Sequence, residues 1–283
     1  MTPVIVRTRA ELAAARTGVE GTLALVPTMG ALHEGHRSLI RRAREIAGTV
    51  AVSVFVNPLQ FGPNEDFDRY PRTFADDVEA CAAEGVSIVF APSVDVMYPA
   101  EPQVTLKSGP MGARVEGVTR PGHFDGMLTV VLKLLNLVRP DVAVFGEKDA
   151  QQLAMIRRMV ADLNVPVEVV GAPTVREPDG LALSSRNRYL TETDRSTALA
   201  LSRALRAGAD AVPDGPSAVV KAARAVLDGA GPALHLDYIV LVDPATFLEV
   251  SDAHTGPAVL AVAARVGTTH LIDNTPLEFP KEH

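Results

Sequence analysis

A single cysteine, Cys81, stands in 283 residues, and tryptophan is absent. One thiol excludes an internal disulfide and a cysteine-built metal site, and it points to a reducing cytoplasm. Its alanine-rich helical surroundings make it a buried spectator rather than a nucleophile. Aromatic residues are 5% of the chain, which leaves few platforms for stacking single-stranded nucleic acid. Basic residues are outnumbered 34 to 27, a net charge of −7. That argues against a nucleic-acid partner, whose phosphates need a basic face, but leaves room for a small anion in a locally basic pocket. Long apolar runs are scarce as well. The stretch Met127 to Val138 is broken by Lys133 and Asn136 and is too short to span a bilayer, so no membrane partner is expected. The opening MTPVIVRTRAELAAAR is charged where a signal core needs apolar residues, so no export is expected.

Catalytic signatures are missing too. Neither G-x-x-x-x-G-K-[ST] nor G-x-G-x-x-G occurs, so neither a P-loop ATPase nor a dinucleotide fold is indicated. No H-E-x-x-H zinc helix and no G-x-S-x-G nucleophile turn is found.

What is present is an alternation of apolar runs and helical periodicity. Leu23 to Val26 reads as a buried strand, broken by Pro27 and Gly30, with a helix from about Gly35. Strands follow at Val50 to Val56, Ser87 to Phe90, Val142 to Phe145 and Val167 to Val170. Helices lie between them, from Thr73 to about Glu84, from Asp125 to Val138 and from Lys148 to about Leu163. Thr73 with Asp76 has the pattern of a capping box. Residues 93–121 are punctuated by Pro and Gly, with a possible strand at Val104 to Lys107. The alternation predicts an α/β fold with a doubly wound, Rossmann-like parallel sheet over residues 1–173. From residue 174 to 283 the texture changes to a smaller α+β domain: a hairpin around Arg176 to Leu183, Thr191 capping the first of two alanine-rich helices, then three strands at 235–242, 258–265 and 268–272. The tail after Asn274 is expected to be loosely held.

Three clusters seek anions. The first is His33-Glu34-Gly35-His36, between a buried strand and a helix start, where backbone N–H groups and the helix dipole favour phosphate. A four-residue motif arises easily by chance, and histidines near helix starts are often only caps; the strand–turn–helix context carries the functional reading. The second is Gly146-Glu147-Lys148-Asp149, which puts a mobile cation at a strand end. The third is Ser184-Ser185-Arg186, two hydroxyls and a guanidinium suited to polyphosphate oxygens. Gln60 lies in the long, polar, non-periodic loop Asn57 to Pro71, a functional loop by its texture. Asn57 either serves the site or caps the strand, and Gln152 either orients a hydroxyl or carboxylate or faces solvent, as helical glutamines more often do. Asp76 with Asp77, and Asp66 with Asp68, read as cap and surface charges before they read as ligands of a divalent ion.

Beyond these residues, PTMGALHEGHRSLI, VSVFVNPLQFGPNEDFDRYPRT, RPGHFDGMLTVVLKLLNLVRPD, VFGEKDAQQLAMIRRMV and VREPDGLALSSRNRYL occur in that order. Together they resemble the pantoate–β-alanine ligase (pantothenate synthetase) family, within the His-x-Gly-His nucleotidyltransferase-like class. The resemblance implies that ATP, accompanied by Mg²⁺, activates pantoate as an adenylate that β-alanine attacks, in a cytoplasmic homodimer with a mobile cover. It implies a nucleotide site at Met29, Gly30, Ala31, Leu32, His33, Glu34, Gly35 and His36, with His36 the catalytic acid. Gly146, Glu147, Lys148, Asp149, Val175, Leu183, Ser184, Ser185 and Arg186 would complete it. Gln60 would contact pantoate and β-alanine, and Gln152 pantoate, with Asn57 nearby and His123 bordering the pantoate side. Leu183 stands where many members carry methionine. The chain stops soon after its last predicted strand, so no longer tail is expected to contribute. The metal ligands do not carry over. Two other readings stay open: an adenylyltransferase acting on a phosphorylated acceptor, and a nucleotide-sensing or RNA-binding module, which the acidic charge disfavours.

Overall fold

The computed structural model describes residues 2–63, 65 and 67–280. The chain divides into two compact units. The first comprises Met1–Ala113, Arg120–Glu147 and Met155–Pro173; the second comprises Arg114–Thr119, Lys148–Ala154 and Thr174–His283. Read from sequence, the divide falls between residues 173 and 174; the second unit also takes in two short pieces from further back.

Unit one is built on six parallel strands: β1 (Val4–Val6), β2 (Leu23–Thr28), β3 (Thr49–Val54), β4 (Ile88–Phe90), β5 (Val142–Gly146) and β6 (Glu168–Ala172). Their order across the sheet is β1-β4-β3-β2-β5-β6. From β2 the chain winds outward through β3 and β4, then returns to lay β5 on the other side. The reversal lies between β2 and β5, and at such a switch ligands gather beyond the carboxyl ends of the strands. The helices are α1 (Arg9–Thr17), α2 (Glu34–Ile46), α3 (Phe74–Ala83), α4 (Val94–Met97), α5 (Glu116–Thr119), α6 (His123–Val138) and α7 (Ala150–Asp162). The unit assignments put α5 in unit two and divide α7 between the units. A core of Ala24, Val26, Ile40, Val52, Val89 and Val144 shows why these runs read as buried strands.

Several expectations change. Pro27 does not end β2: the strand continues to Thr28, with Pro27 opposite Ser53 of β3. Bonding sides alternate along β2. Leu23 O accepts from Asp141 on the β5 side, and Thr28 O from Phe55 on the β3 side. Pro27 therefore faces β5, where the ladder stops after Leu25 and Ala143. Its missing N–H costs no sheet bond. Thr73 makes no capping bond; its hydroxyl approaches Asp77 at 3.4 Å instead. No strand forms at Val104 to Lys107, where Val104 is 88% exposed; its N–H partners are side chains, Thr129 to Leu106 and Asp125 to Ser108.

Unit two is an antiparallel sheet of β7 (Leu234–Val242), β8 (Gly256–Val266) and β9 (Thr269–Phe279), in that order. Its core joins this sheet to α8 (Glu192–Asp210) and α9 (Pro216–Asp228) through Leu201, Leu205, Val219, Leu260 and Val262. Thr191 caps α8 in a full capping box with Asp194, as the spacing predicts. The end of the chain differs from expectation: β9 runs unbroken through Asn274 to Phe279. The strand read from sequence stops at residue 272, before the polar pair Asp273-Asn274, yet both of these residues are buried.

Candidate active site

In unit one, β2 hands the chain to a tight loop. Gly30 and Ala31 both have positive φ, +83° and +52°, a conformation that L side chains adopt at a cost. The loop is held by a residue that sequence reasoning set aside. Asp77, 2% exposed on α3, accepts from the Ala31 and Leu32 N–H groups at 3.1 and 2.8 Å. Burial pushes its carboxyl above the ordinary value, and these same N–H bonds pull the other way. A Cβ on Gly30 would come within 2.8 Å of the Asp77 carboxylate. Sequence offered a signal, an acidic pair one turn into a helix, but not its direction.

The histidines follow at the start of α2. His33 is its N-cap: its Nδ1 accepts from Gly35 N–H at 3.1 Å, and its own N–H donates to His36 Nδ1 at 3.3 Å. The ring centroids are 4.1 Å apart. Since Nδ1 is the acceptor on both rings, each neutral imidazole carries its proton on Nε2 and presents a donor there. This revises the expected anion site. The N–H groups of Gly30, Ala31, Leu32, His33, Gly35, His36 and Arg37 are all taken within the protein. Backbone amides fix the loop and the two rings rather than standing open to an anion.

A second constellation in the same unit surrounds Gln60, 9% exposed at the end of a 3₁₀ turn. Asn57 donates to Gln60 Oε1 at 3.1 Å, which sets the Gln60 amide nitrogen 3.3 Å from Met29 Sδ. A thioether is a weak acceptor, so that N–H₂ keeps donor capacity for a substrate oxygen. Asn57 is itself fixed: Tyr98 donates to its Oδ1 at 2.8 Å, and its Nδ2 also reaches Gly126 O. Burial raises the Tyr98 hydroxyl to about 12, keeping it a donor. His123 lies 2.8 Å from Gln60 O through Nδ1 and 3.1 Å from Arg120 through Nε2. Because Arg120 can only donate, His123 Nδ1–H donates to the carbonyl. Arg120 in turn grips Glu65 with two bonds, 2.8 and 2.6 Å. Burial pushes the Glu65 carboxyl up, but the Arg120 hydrogen bonds and charge outweigh it, leaving the group below its ordinary value. Helix α6 approaches this loop so closely that a Cβ on Gly126 would sit 1.9 Å from Leu59 O. Of the two acidic pairs, Asp77 is spent on the loop, and Asp66 lies outside the described residues. Cys81 is fully buried, its thiol pushed up to about 12 by burial and the nearby Asp77 carboxylate.

Unit two holds Lys148 and Asp149 of the second cluster and the whole of the third. Lys148, its side chain 20% exposed, is 3.9 Å from the Asp149 carboxylate. Its carbonyl accepts from Asn274 Nδ2 at 2.7 Å. The hairpin is real: Arg176 bridges Ala182, and Leu183 N–H donates to Val175 O. Arg176 makes a two-bond pair with buried Asp273, 2.6 and 3.0 Å, and also donates to Asn274 O. One strand position of β9 therefore anchors both the Lys148 turn and the hairpin leading to Ser184. Ser184 caps a 3₁₀ turn, Ser185–Tyr189, by accepting from Arg186 N–H. Leu183, Ser184, Ser185, Arg186 and Val175 are all half-buried, as is Gln152 in the first turn of α7. Gly146 closes β5 in unit one, and Glu147, in the same unit, begins the 3₁₀ turn that follows.

A doubly wound parallel sheet whose switch-point strand leads into a pair of adjacent imidazoles at a helix start is an α/β fold of the kind that binds ligands beyond the carboxyl ends of its strands. The family is specific. The model of the pantoate-beta-alanine ligase family matches residues 4–276, and the chain belongs to that family. Pantothenate synthetase of Thermobifida fusca is 64% identical over 285 residues, covering 98% of this chain and 96% of the relative. That of Acidothermus cellulolyticus is 60% identical, covering 97% and 92%. Among solved structures, pantothenate synthetase of Thermus thermophilus superposes with a TM-score of 0.90 at 48% identity, covering 96% of this chain and 98% of that one. Pantoate-beta-alanine ligase of Francisella tularensis, solved as a complex with beta-gamma ATP and beta-alanine, gives 0.80 at 33%, covering 96% and 97%. Membership in this family sets aside the adenylyltransferase reading.

Proposed function

We propose that this protein condenses pantoate with β-alanine, driven by ATP, through a pantoyl adenylate. A pantoate carboxylate oxygen attacks the α-phosphorus in line, the bond to the pyrophosphate oxygen breaks, and pyrophosphate leaves. The β-alanine amine then attacks the acyl carbon, AMP departs, and the amine loses a proton to give the amide. The observation that carries this reading is the fixed pair of Nε2–H donors on His33 and His36, in a chain that belongs to a ligase family. Catalysis here is positioning and charge stabilisation rather than covalent chemistry.

In this reading the two imidazoles donate to phosphate oxygens, and Lys148 follows the negative charge as pyrophosphate leaves. Ser184, Ser185 and Arg186 bind the polyphosphate. Met29 to Glu34, Gly146, Glu147, Asp149, Val175 and Leu183 serve the nucleotide. Gln60 donates to pantoate and β-alanine, and Gln152 to pantoate. Asn57 and His123, engaged through both polar ends, serve substrate binding by holding Gln60. Mg²⁺ would enter with the substrate as Mg·ATP.

We assign the protein to the cytoplasm, in keeping with its single buried thiol, and to a homodimer by its family resemblance. Among the described residues no helix is long and apolar enough to cross a membrane. The deciding experiment incubates the protein with Mg·ATP and pantoate, with and without β-alanine, and weighs the products. Without β-alanine the expected products are pyrophosphate and pantoyl adenylate; with it, pantothenate and AMP. Pantothenate with ADP and phosphate would overturn the reading.

A further inference from the structure

We propose that Asn274 is a positioning residue for Lys148: its side-chain amide fixes the turn that aims the lysine at the reacting phosphate. The proposal rests on the reading of Lys148 given above and adds a residue to the machinery of that step. Asn274 is 6% exposed, in the middle of β9. A buried amide there is costly unless its polar atoms are matched. Its Nδ2 donates to Lys148 O at 2.7 Å, across 126 residues of chain. Its own N–H is anchored on Asp273 Oδ1 at 2.8 Å, and its carbonyl accepts from Arg176.

The direction of the bond matters. It holds the backbone carbonyl of Lys148, not the ammonium, so it fixes the root of the side chain and leaves the cation to its ligand. The turn itself is a single 3₁₀ segment, Glu147–Asp149, too short to be stiff alone. Asp273 and Asn274 project from opposite faces of one strand. The first is paired with the hairpin arginine, the second with the lysine turn. Two consecutive polar residues, both buried, interrupt the apolar pattern of β9, a departure expected where a strand serves a site rather than a core.

The test measures pantoate-dependent pyrophosphate release by wild type, Lys148→Ala, Asn274→Ala and the double variant. Asn274→Ala is expected to lower kcat about 10-fold, the loss of one buried hydrogen bond. The KM values for pantoate and β-alanine should stay within about two-fold, because only the aim of the lysine is disturbed. The double variant should fall no more than about two-fold below Lys148→Ala, since removing the lysine removes what Asn274 positions. Asn274→Ser, which keeps a shorter donor, should recover part of the rate and stands in if the alanine variant fails to fold. Two outcomes overturn the proposal: kcat of Asn274→Ala within about two-fold of wild type, or a double variant that loses the product of the two single losses. Normal pyrophosphate release by Lys148→Ala removes the underlying reading and the proposal with it, a result recognisable from that variant alone.

Discussion

Replacing Gly126 by alanine puts the packing around Gln60 to a direct test. The new Cβ would lie 1.9 Å from Leu59 O, 2.3 Å from Leu59 C and 2.7 Å from Gln60 N. All three are backbone atoms, so no side chain can swing aside. Restoring an ordinary carbon–oxygen contact of about 3.3 Å means moving the loop or the helix by about 1.4 Å. That shift strains the Asn57 bond to Gly126 O and the His123 bond to Gln60 O, 3.1 and 2.8 Å. Overpacking costs about 1–3 kcal/mol, and each weakened buried bond about 1 kcal/mol more. The melting temperature should fall by several degrees, at about 2–4 °C per kcal/mol for domains of this size. A displacement of about 1 Å at a substrate-positioning group costs about 10²-fold, so kcat/KM for pantoate should drop by about that factor. The KM for ATP should change little, because the His33 loop is held separately by Asp77. Intrinsic helix propensity pushes the other way, since alanine in a helix interior is about 1 kcal/mol better than glycine. A Gly126→Ala protein that melts at or above wild type, with unchanged pantoate kinetics, would refute the reasoning.

Other outcomes follow from the same geometry. His36→Ala and Lys148→Ala should each slow adenylation by about 10²-fold or more, read as pantoate-dependent pyrophosphate release; near-normal rates in both would remove their assignment. Asp77→Asn offers one acceptor where two N–H groups need one each, so it should raise the KM for ATP about 10-fold while the KM for pantoate holds; an unchanged KM for ATP would show that the loop stands without the pin. Glu65 is held below its ordinary value of 4.5 in the folded protein. Its contribution is therefore complete above pH 4.5 and lost as pH falls through the lower folded value. The melting-temperature gap between wild type and Glu65→Gln should shrink across that acid range, and a gap independent of pH would contradict the Arg120 pairing.

Much of the frame is legible in the residues. Apolar runs such as Leu23 to Val26 and Val142 to Phe145 read as buried strands because they are short and bounded by turn residues, and their alternation with helical periodicity points to a parallel sheet. The His33, Lys148 and Ser184 segments stand out because cations and hydroxyls gather there next to strand ends, even though His33 and Ser184 also serve as caps. What stays hidden depends on direction and distance. Asp77 looks like any acidic residue in a first helical turn until the loop is seen folded onto it. Asp273-Asn274 looks like the end of a strand because polarity is taken for exposure. Pro27 looks like a breaker because which side of β2 it faces, and where the β5 ladder stops, are facts of register that no single segment carries. Gly126 gives no local sign at all; its meaning lies in a backbone far off in sequence.

The bond between Asn274 and the Lys148 carbonyl also has a bearing on the ribosome. At about 5–20 residues per second, the 126 residues separating its partners take roughly 6 to 25 seconds to synthesise. Through that interval the nascent chain carries a lysine turn with no strand to fasten it. A chain released early, short of β9, lacks the fastening altogether, and a fragment beginning at Thr174 lacks the lysine.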